Sequence, residues 1–275
     1  MILSIVIVNY KYKGSIKEML KYFKKNPLST SFEIHVVDNN SKDGIKSMLK
    51  KDFPDVLFHP LQKNIGFGKA NNIALEKVKG EFVLLLNPDI ITTSASIETL
   101  LSFMQKNKHV GIAAPRLVNP DSSIQHTCYR FPTFFTPIYR RTFLGKTKKG
   151  KKDRMRYLML DKSHSLTEPV DWVQGSAMII RKSHLNKVGM FDKRFFMYME
   201  DVDLCRRFWE QNFPVYYVAE SEMVHYHKRA SAEDAGVKIL FNTLLRNHIA
   251  SFLRYMFKYK NKKLPKIIDK VGVVK

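Results

Sequence analysis

Short β-branched runs alternate with amphipathic stretches through the first third of the chain. Leu3 to Val8 reads as a buried strand, Ile16 to Phe23 as a helix and Glu33 to Val37 as a second strand. Val56 to His59, a helix through Ala70 to Val78 and a strand from Phe82 to Leu86 continue the pattern. Strands separated by helices require right-handed crossovers, so the expected class is α/β, a mostly parallel sheet flanked by helices. Ligands of such sheets bind beyond the carboxyl ends of the strands. The residues just past three strands are polar: Asn9 and Tyr10, Asp38 to Ser41, and Asn87 to Asp89.

After Pro115 the periodicity loosens into a segment rich in Pro, aromatic and basic residues that runs to about Thr167, and a mobile excursion is expected there. Order resumes at Val170 to Ile180. A helix from Val202 to Gln211, a strand from Val215 to Val218 and a long helical pattern from Glu233 to about Lys260 follow. The expected organisation is one main domain over 1–231 and a basic amphipathic helical tail over 232–275.

Composition changes the picture through charge. The 275 residues are 44% hydrophobic, enough to bury a full core, yet the net charge is +22, which calls for a polyanionic neighbour. Two segments carry most of it: 140–156 is +8 and 228–275 is +9. Between Ile239 and Tyr259 the basic residues alternate with Leu, Ile, Phe and Tyr, which suits a helix lying in a membrane interface; a core-packed helix with a solvated basic face is the competing reading. No apolar run approaches the roughly 20 residues of a spanning helix, so the chain should touch a membrane without crossing it. Two cysteines, Cys128 and Cys205, form neither a metal-ligand spacing nor a disulfide framework, and no signal peptide precedes the first strand. The expected location is therefore the cytoplasm, peripheral on the inner face of the membrane. Nucleic acid is disfavoured as a partner, because carboxylates gather at the strand ends and no nucleic-acid motif occurs.

Five constellations could carry chemistry. Leu84 to Asp89 is an apolar strand ending in an isolated carboxylate, suited to a hard divalent cation bridging to phosphates, or else simply a turn. Asp38, after Val36 and Val37, could accept from a pyrimidine imide or form an Asx turn. Asn64 to Asn72 is a glycine-containing loop entering a helix, where backbone N–H groups and Lys69 could approach a diphosphate; it is neither a P-loop nor a dinucleotide fingerprint. Phe195 to Leu204 sets Glu200, Asp201 and Asp203 beside aromatic residues. Glu200 and Asp203 suit helix caps, whereas Asp201 suits a base that takes a proton from a sugar hydroxyl. His225, after a late strand, could complete a metal site begun by Asp89.

Taken together in this order, with Ile5 to Tyr10, Trp172 to Ala177 and Phe191-Asp192 added, these motifs resemble glycosyltransferase family 2. The likeness is nearest to its rhamnosyltransferase-like branch and covers about residues 2–231. It implies a GT-A fold with a nucleotide-sugar-binding half over 1–115 and an acceptor-binding half over 116–231. It further implies inverting, Mg²⁺- or Mn²⁺-assisted transfer of one sugar from a nucleoside-diphosphate sugar to a hydroxyl. By position, Val8, Asn9, Tyr10 and Asp38 would hold the nucleoside, with Gly66, Asn71 and Asn87 lining the donor pocket. Asp89 and His225 would hold the metal, Asp201 would be the catalytic base, and Trp172, Gln174, Gly175 and Glu200 would shape the acceptor site. Asn87 stands where the family's first metal-binding carboxylate is usual, and an inactive scaffold is the reading that departure suggests. The branch implies dTDP-rhamnose, with a UDP-hexose as the alternative donor. A lipid-diphosphate-linked saccharide of cell-surface polysaccharide synthesis is the implied acceptor. The Gln-x-x-Arg-Trp motif of processive relatives is absent, so one sugar per encounter is expected.

Overall fold

A computed structural model describes residues 1–226, 243–269 and 273–274. Its centre is a mixed sheet. Four strands, β1 (Leu3–Asn9), β2 (Phe32–Asp38), β3 (Leu57–Pro60) and β4 (Phe82–Leu86), run parallel in the order β3-β2-β1-β4. The alternation within β1 explains the layers, since successive side chains of a strand point to opposite faces. Ile5 and Ile7 pack with Ile16, Leu20 and Phe23 of α1 (Lys13–Lys25), near Ile45 and Leu49 of α2 (Ile45–Asp52). Val6 points the other way, onto Ala70 and Ala74 of α3 (Phe67–Leu75). The expected strands and helices of this half are present, with bounds moved by one to three residues.

The second half adds β5 (Ile90–Ile91), α4 (Ser94–Lys106), β6 (Ile112–Val118) and β7 (Cys128–Tyr129). The sequence reading did not include α4; Thr93 caps it, its Oγ1 accepting from Ser96 N at 3.1 Å. Residues 116–167 differ from the expected structureless excursion. They hold α5 (Thr136–Arg141) and α6 (Lys148–Tyr157), the latter capped by Thr147, whose Oγ1 accepts from Gly150 N at 3.1 Å. The charge of α6 masked its periodicity, because only Gly150 and Tyr157 on it are buried.

The chain then forms β8 (Glu168–Pro169), β9 (Trp172–Val173), β10 (Ala177–Arg181), α7 (Lys182–Val188) and α8 (Glu200–Glu210). Strand β10 is antiparallel to both β4 and β6, so it joins the two halves of the sheet. The late strand, expected over four residues, extends as β11 from Val215 to His225 past a register shift between Val218 and Glu222. That extension places His225 opposite Ile90 of β5, next to Asp89.

Helix α9 (Thr243–Lys258) packs on the main domain. Leu245, Phe252 and Tyr255 are buried, Ser251 Oγ donates to Met197 O at 2.8 Å, and Lys258 Nζ pairs with Asp192 at 2.7 Å and Asp203 at 2.5 Å. Its other face leaves Ile249, Leu253 and Phe257 exposed. The expected start of this helix at Glu233 and the expected boundary between 231 and 232 lie outside the described residues. No described helix is long and apolar enough to cross a membrane.

Candidate active site

At the carboxyl ends of β1 and β2 an amide network fixes the loops. Asn9 is fully buried; its Nδ2 donates to Asp38 Oδ1 and to Asp43 Oδ2, both at 3.1 Å, and its Oδ1 accepts from Tyr12 N at 2.9 Å. Asp38 Oδ1 also accepts from Ser41 N at 3.1 Å, which leaves Oδ2 outside this network. Asn39 continues it: Nδ2 donates to Asn64 Oδ1 and Oδ1 accepts from Ile65 N, each at 2.9 Å. Tyr10 and Tyr12 stand exposed at the rim, while Val8 is half-buried beneath them. Asn39 belongs to the polar run singled out after the second strand, whereas Asp43 was not singled out from the sequence.

The glycine loop is tied to the opposite wall. Gly66 has φ +90°, and a Cβ there would lie 2.0 Å from Phe196 O, so only glycine fits. The next amide, Phe67 N, donates to that same oxygen at 3.0 Å. Asn71 bonds within its own helix, Nδ2 donating to Phe67 O at 3.0 Å. Its neighbour Asn72 makes the long-range contact, donating to Phe191 O at 2.8 Å and accepting from Phe191 N at 3.1 Å.

Asp89 and His225 meet at the end of β4. His225 Nε2 lies 3.5 Å from Asp89 Oδ2, and Asp89 Oδ1 is buried with no hydrogen-bond partner among the described residues. Gln125, absent from the sequence reading, decides the histidine tautomer. Its Nε2 donates to His225 O at 2.8 Å and to Asn119 Oδ1 at 2.6 Å, so its Oε1 is the acceptor end and takes the proton of His225 Nδ1 at 2.9 Å. The neutral ring then carries its lone pair on Nε2, the state a metal requires. Among the described residues no three His, Cys, Asp or Glu side chains gather as a metal site. Two ligands nonetheless fit Mg²⁺ or Mn²⁺, which complete their shells with diphosphate oxygens and water. Asn87 shapes the turn through its backbone, N donating to Ser176 O at 2.8 Å and O accepting from Ile90 N at 3.1 Å.

Across the sheet end, α8 begins under strain. Tyr198 and Met199 both have left-handed φ, +68° and +67°, a conformation that non-glycine residues adopt at a cost of about 1 kcal/mol or more each. It delivers Glu200 and Asp201 to the helix start. Asp201 Oδ2 accepts from Gly175 N at 3.1 Å and Oδ1 from Val202 N at 2.8 Å. Burial raises the Asp201 carboxyl above the ordinary range, and those backbone N–H groups oppose the rise. Glu200 is raised to about 8, by burial and then by the Asp201 charge, with the backbone N–H groups of Glu200 and Tyr198 opposing, and among the described residues its Oε2 has no hydrogen-bond partner. Glu200 is therefore the neutral acid of the pair at pH 7, and Asp201 is the carboxyl whose charge it feels. Asp203 is a structural hub, paired with Arg207 at 2.9 Å and accepting from Tyr259 at 2.8 Å.

Gly175 stands over this pair; a Cβ on it would meet Phe67 at 3.3 Å and Asp201 at 3.5 Å. Trp172 is buried, donating to Arg130 O at 3.1 Å and stacking on Tyr129 with centroids 4.4 Å apart. It shapes the wall from below. Gln174 is half-buried, held by its backbone N donating to Thr127 O at 2.9 Å.

The model of the family described as "Glycosyl transferase family 2" matches residues 4–189. The chain belongs to glycosyltransferase family 2. Over 254 residues the transferase is 27% identical to the N-acetylglucosaminyl-diphospho-decaprenol L-rhamnosyltransferase of Mycobacterium tuberculosis, covering 85% of this chain and 78% of that one. It is 28% identical to the rhamnosyltransferase WbbL of Escherichia coli, covering 92% and 91%. Among solved structures, GalNAc-T7 with UDP, GalNAc and Mn²⁺ superposes with a TM-score of 0.65 at 14% identity, over 95% of this chain and 48% of that one. The mannosyltransferase PcManGT of Pyrobaculum calidifontis, with GDP-Man and Mn²⁺, gives 0.56 at 14% identity, over 96% and 76%. The expected GT-A fold is thus the fold of the transferase, and rhamnosyltransferases are among its relatives.

Proposed function

We propose that the transferase moves one rhamnose, by inversion, from dTDP-rhamnose to a hydroxyl of a lipid-diphosphate-linked saccharide. The observation that carries this is Asp201, a desolvated carboxylate held by two backbone N–H groups at a strained helix start and joined through Gly175 and Ser176 to the Asn87 turn that carries Asp89 beside His225. In the reaction the acceptor oxygen forms the new bond to the anomeric carbon as the bond from that carbon to the diphosphate oxygen breaks. The acceptor proton passes to Asp201, and the nucleoside diphosphate leaves. A bound Mg²⁺ or Mn²⁺ would supply positive charge to the departing diphosphate. Asp89 and His225 would hold that ion, with Gln125 keeping the imidazole in its ligating tautomer. Asp38 would face the base, with Asn9 keeping its carboxylate in place. Glu200 would stay neutral beside Asp201 and donate to the acceptor sugar.

The acceptor belongs to a membrane, and the outer surface of the transferase suits one. Phe143 and Phe257 are 79% and 73% exposed among the basic residues of the α5–α6 segment and α9. Peripheral docking of these helices on the anionic inner leaflet completes the reading.

The test is a panel of dTDP-, UDP- and GDP-sugars with and without Mn²⁺, read first as thermal shift and then as transfer to a soluble GlcNAc-diphosphate ester. A Mn²⁺-dependent shift and product with dTDP-rhamnose is the expected result. A shift confined to a UDP- or GDP-sugar would overturn the donor. No shift and no product with any nucleotide would return the chain to the inactive-scaffold reading.

A further inference from the structure

Two arginines stand beside the Asp201 wall with no carboxylate paired to them among the described residues. Among the described residues neither Arg140 nor Arg141 forms an ion pair, although the molecule pairs many of its other cations. Arg140 lies over the Tyr157 ring with its guanidinium carbon 5.0 Å from the centroid, and Tyr157 in turn leans on Trp172, centroids 6.3 Å apart. The Tyr157 hydroxyl accepts a hydrogen bond from Arg140 and feels the charges of both Arg140 and Asp201, so this ring is near the cation and the carboxylate alike. Arg141 reaches the other flank. Its Nη2 lies 3.2 Å from His248 Nδ1, and His248 stacks on Tyr198 with centroids 4.5 Å apart, two residues before Glu200. The contact requires a neutral imidazole accepting from the guanidinium, and burial with the two arginine charges holds His248 down at about 4. His248 therefore orients Arg141 without adding or cancelling charge.

The neighbouring surface of α5 is apolar: Phe135, Ile138, Tyr139 and Leu144 line a groove edged by Lys148 and Lys149. From the base outward the wall thus offers a carboxylate, then two unneutralised guanidinium groups, then a greasy groove with a cationic rim. A molecule with a sugar hydroxyl, a phosphate on the sugar and an apolar chain presents complementary chemistry in the same order.

We propose that Arg140 and Arg141, with Arg141 oriented by His248, bind the diphosphate of the acceptor and so select a phosphate-linked saccharide over a neutral one. Planar guanidinium groups match phosphate oxygens in two-pronged hydrogen bonds, and charge-assisted bonds of this kind are the strong ones. The inference rests on the proposed transfer to a lipid-diphosphate-linked saccharide and names the residues that would read the diphosphate.

The test compares two soluble acceptors with the same short alkyl chain, a GlcNAc diphosphate ester and an uncharged GlcNAc glycoside, in detergent-free buffer without vesicles. In the double variant Arg140→Gln/Arg141→Gln the preference for the charged acceptor, measured as the ratio of kcat/KM values, should fall by about 10- to 100-fold, mostly through KM. Arg140→Lys/Arg141→Lys should recover part of it. Direct titration of the diphosphate ester into protein saturated with nucleoside diphosphate provides an arm that needs no turnover, and the double variant should bind it at least about 10-fold more weakly. An equal loss on both acceptors, or a preserved preference with unweakened binding, would overturn the proposal. If the unmodified transferase binds the ester through these arginines yet transfers nothing to it, the functional reading fails while this site stands. If inorganic diphosphate competes as strongly as the ester, the arginines bind any diphosphate and the proposed selection of a saccharide acceptor is overturned. If anionic phospholipid vesicles bind through these arginines and the ester does not, the site belongs to the membrane surface instead.

Discussion

The two walls of the cleft are built on opposite principles. The wall formed by β1, β2 and the glycine loop is held by neutral amides: Asn39 and Asn64 satisfy each other and the loop backbone, and Asn9 holds the carboxylates of Asp38 and Asp43. The wall formed by β9, the turn at Gly175 and α8 is held by burial, aromatic stacking and two left-handed residues, and it presents carboxylates with raised pKa values. A nucleotide that is the same at every turnover suits a pre-satisfied socket. A proton transfer needs a group whose affinity for protons has been shifted, and shifting it takes desolvation and strain. The difference teaches where variants should act: on the first wall they should weaken binding, and on the second they should remove chemistry.

The sharpest break in that comparison comes from two isosteric changes at adjacent positions. Asp201→Asn should lower kcat by about 10² to 10⁴ while the donor-induced thermal shift is kept, because it removes the proposed base and leaves the proposed nucleotide wall untouched. Glu200→Gln should lower kcat by less than about tenfold at pH 7, because the glutamic acid is already neutral there and glutamine preserves its shape and a donor. Parallel kcat measurements on the two variants decide the assignment. If Glu200→Gln were the more damaging, the base would be Glu200.

A smaller effect is expected where the two walls share a ligand. Gln125→Leu removes the acceptor that fixes His225 Nδ1–H and leaves Asp89 and His225 in place. Such an outer partner is worth about 10- to 100-fold in metal affinity. The Mn²⁺ concentration for half-maximal transfer should rise by that factor, with kcat at saturating Mn²⁺ within a few fold of the unmodified enzyme. An unchanged Mn²⁺ requirement would mean that Gln125 serves only the loop at Asn119.

How much of this was legible in the sequence follows from what each feature depends on. The sheet strands announced themselves because short continuous apolar runs rich in β-branched residues are a local signal, and the polar residues at their ends followed from topology alone. Asp89 and His225 were each visible, but the register shift in β11 that joins them was not, since a shift depends on pairing partners more than 100 residues away. Gln125 was illegible for the same reason: its role is a contact to His225 across the fold. The helices α5 and α6 were hidden because their stabilisation comes from caps at Thr142 and Thr147 and from neighbouring surfaces rather than from an apolar stripe. On α9 the apolar pattern read as a membrane face, yet it divides between residues packed on the core, such as Phe252 and Tyr255, and exposed ones, such as Leu253 and Phe257.

The smallest expected effect separates the two walls by pH. Beneath the nucleotide wall, His35 and His59 stack with Nδ1 and Nε2 2.9 Å apart, a contact that needs at least one neutral ring. His59 is held down at about 4 by burial, then by His35 and Lys77; His35 is also lowered by burial, with Glu33 opposing and Lys77 and Lys79 assisting. Their folded-state values lie below the unfolded value of about 6.5, so the unfolded chain binds more protons over this interval. The stability that these histidines contribute is therefore complete above about pH 6.5 and declines as pH falls toward 4, and His248, also near 4, adds to the same slope. The raised carboxyls of Glu200 and Asp201 act with the opposite sign. In a Glu200→Gln background, where one opposing group is removed, melting temperatures should fall by several degrees from pH 7.5 to 4.5. They should fall less in His59→Asn, which lowers the plateau but removes one proton acceptor, and less again when His248→Asn is added. An acid slope unchanged by both substitutions would remove these histidines as its source; Asp192, which its pairing with Arg194 and Lys258 holds far below the usual range, loses that stabilisation only below about pH 4, outside this interval.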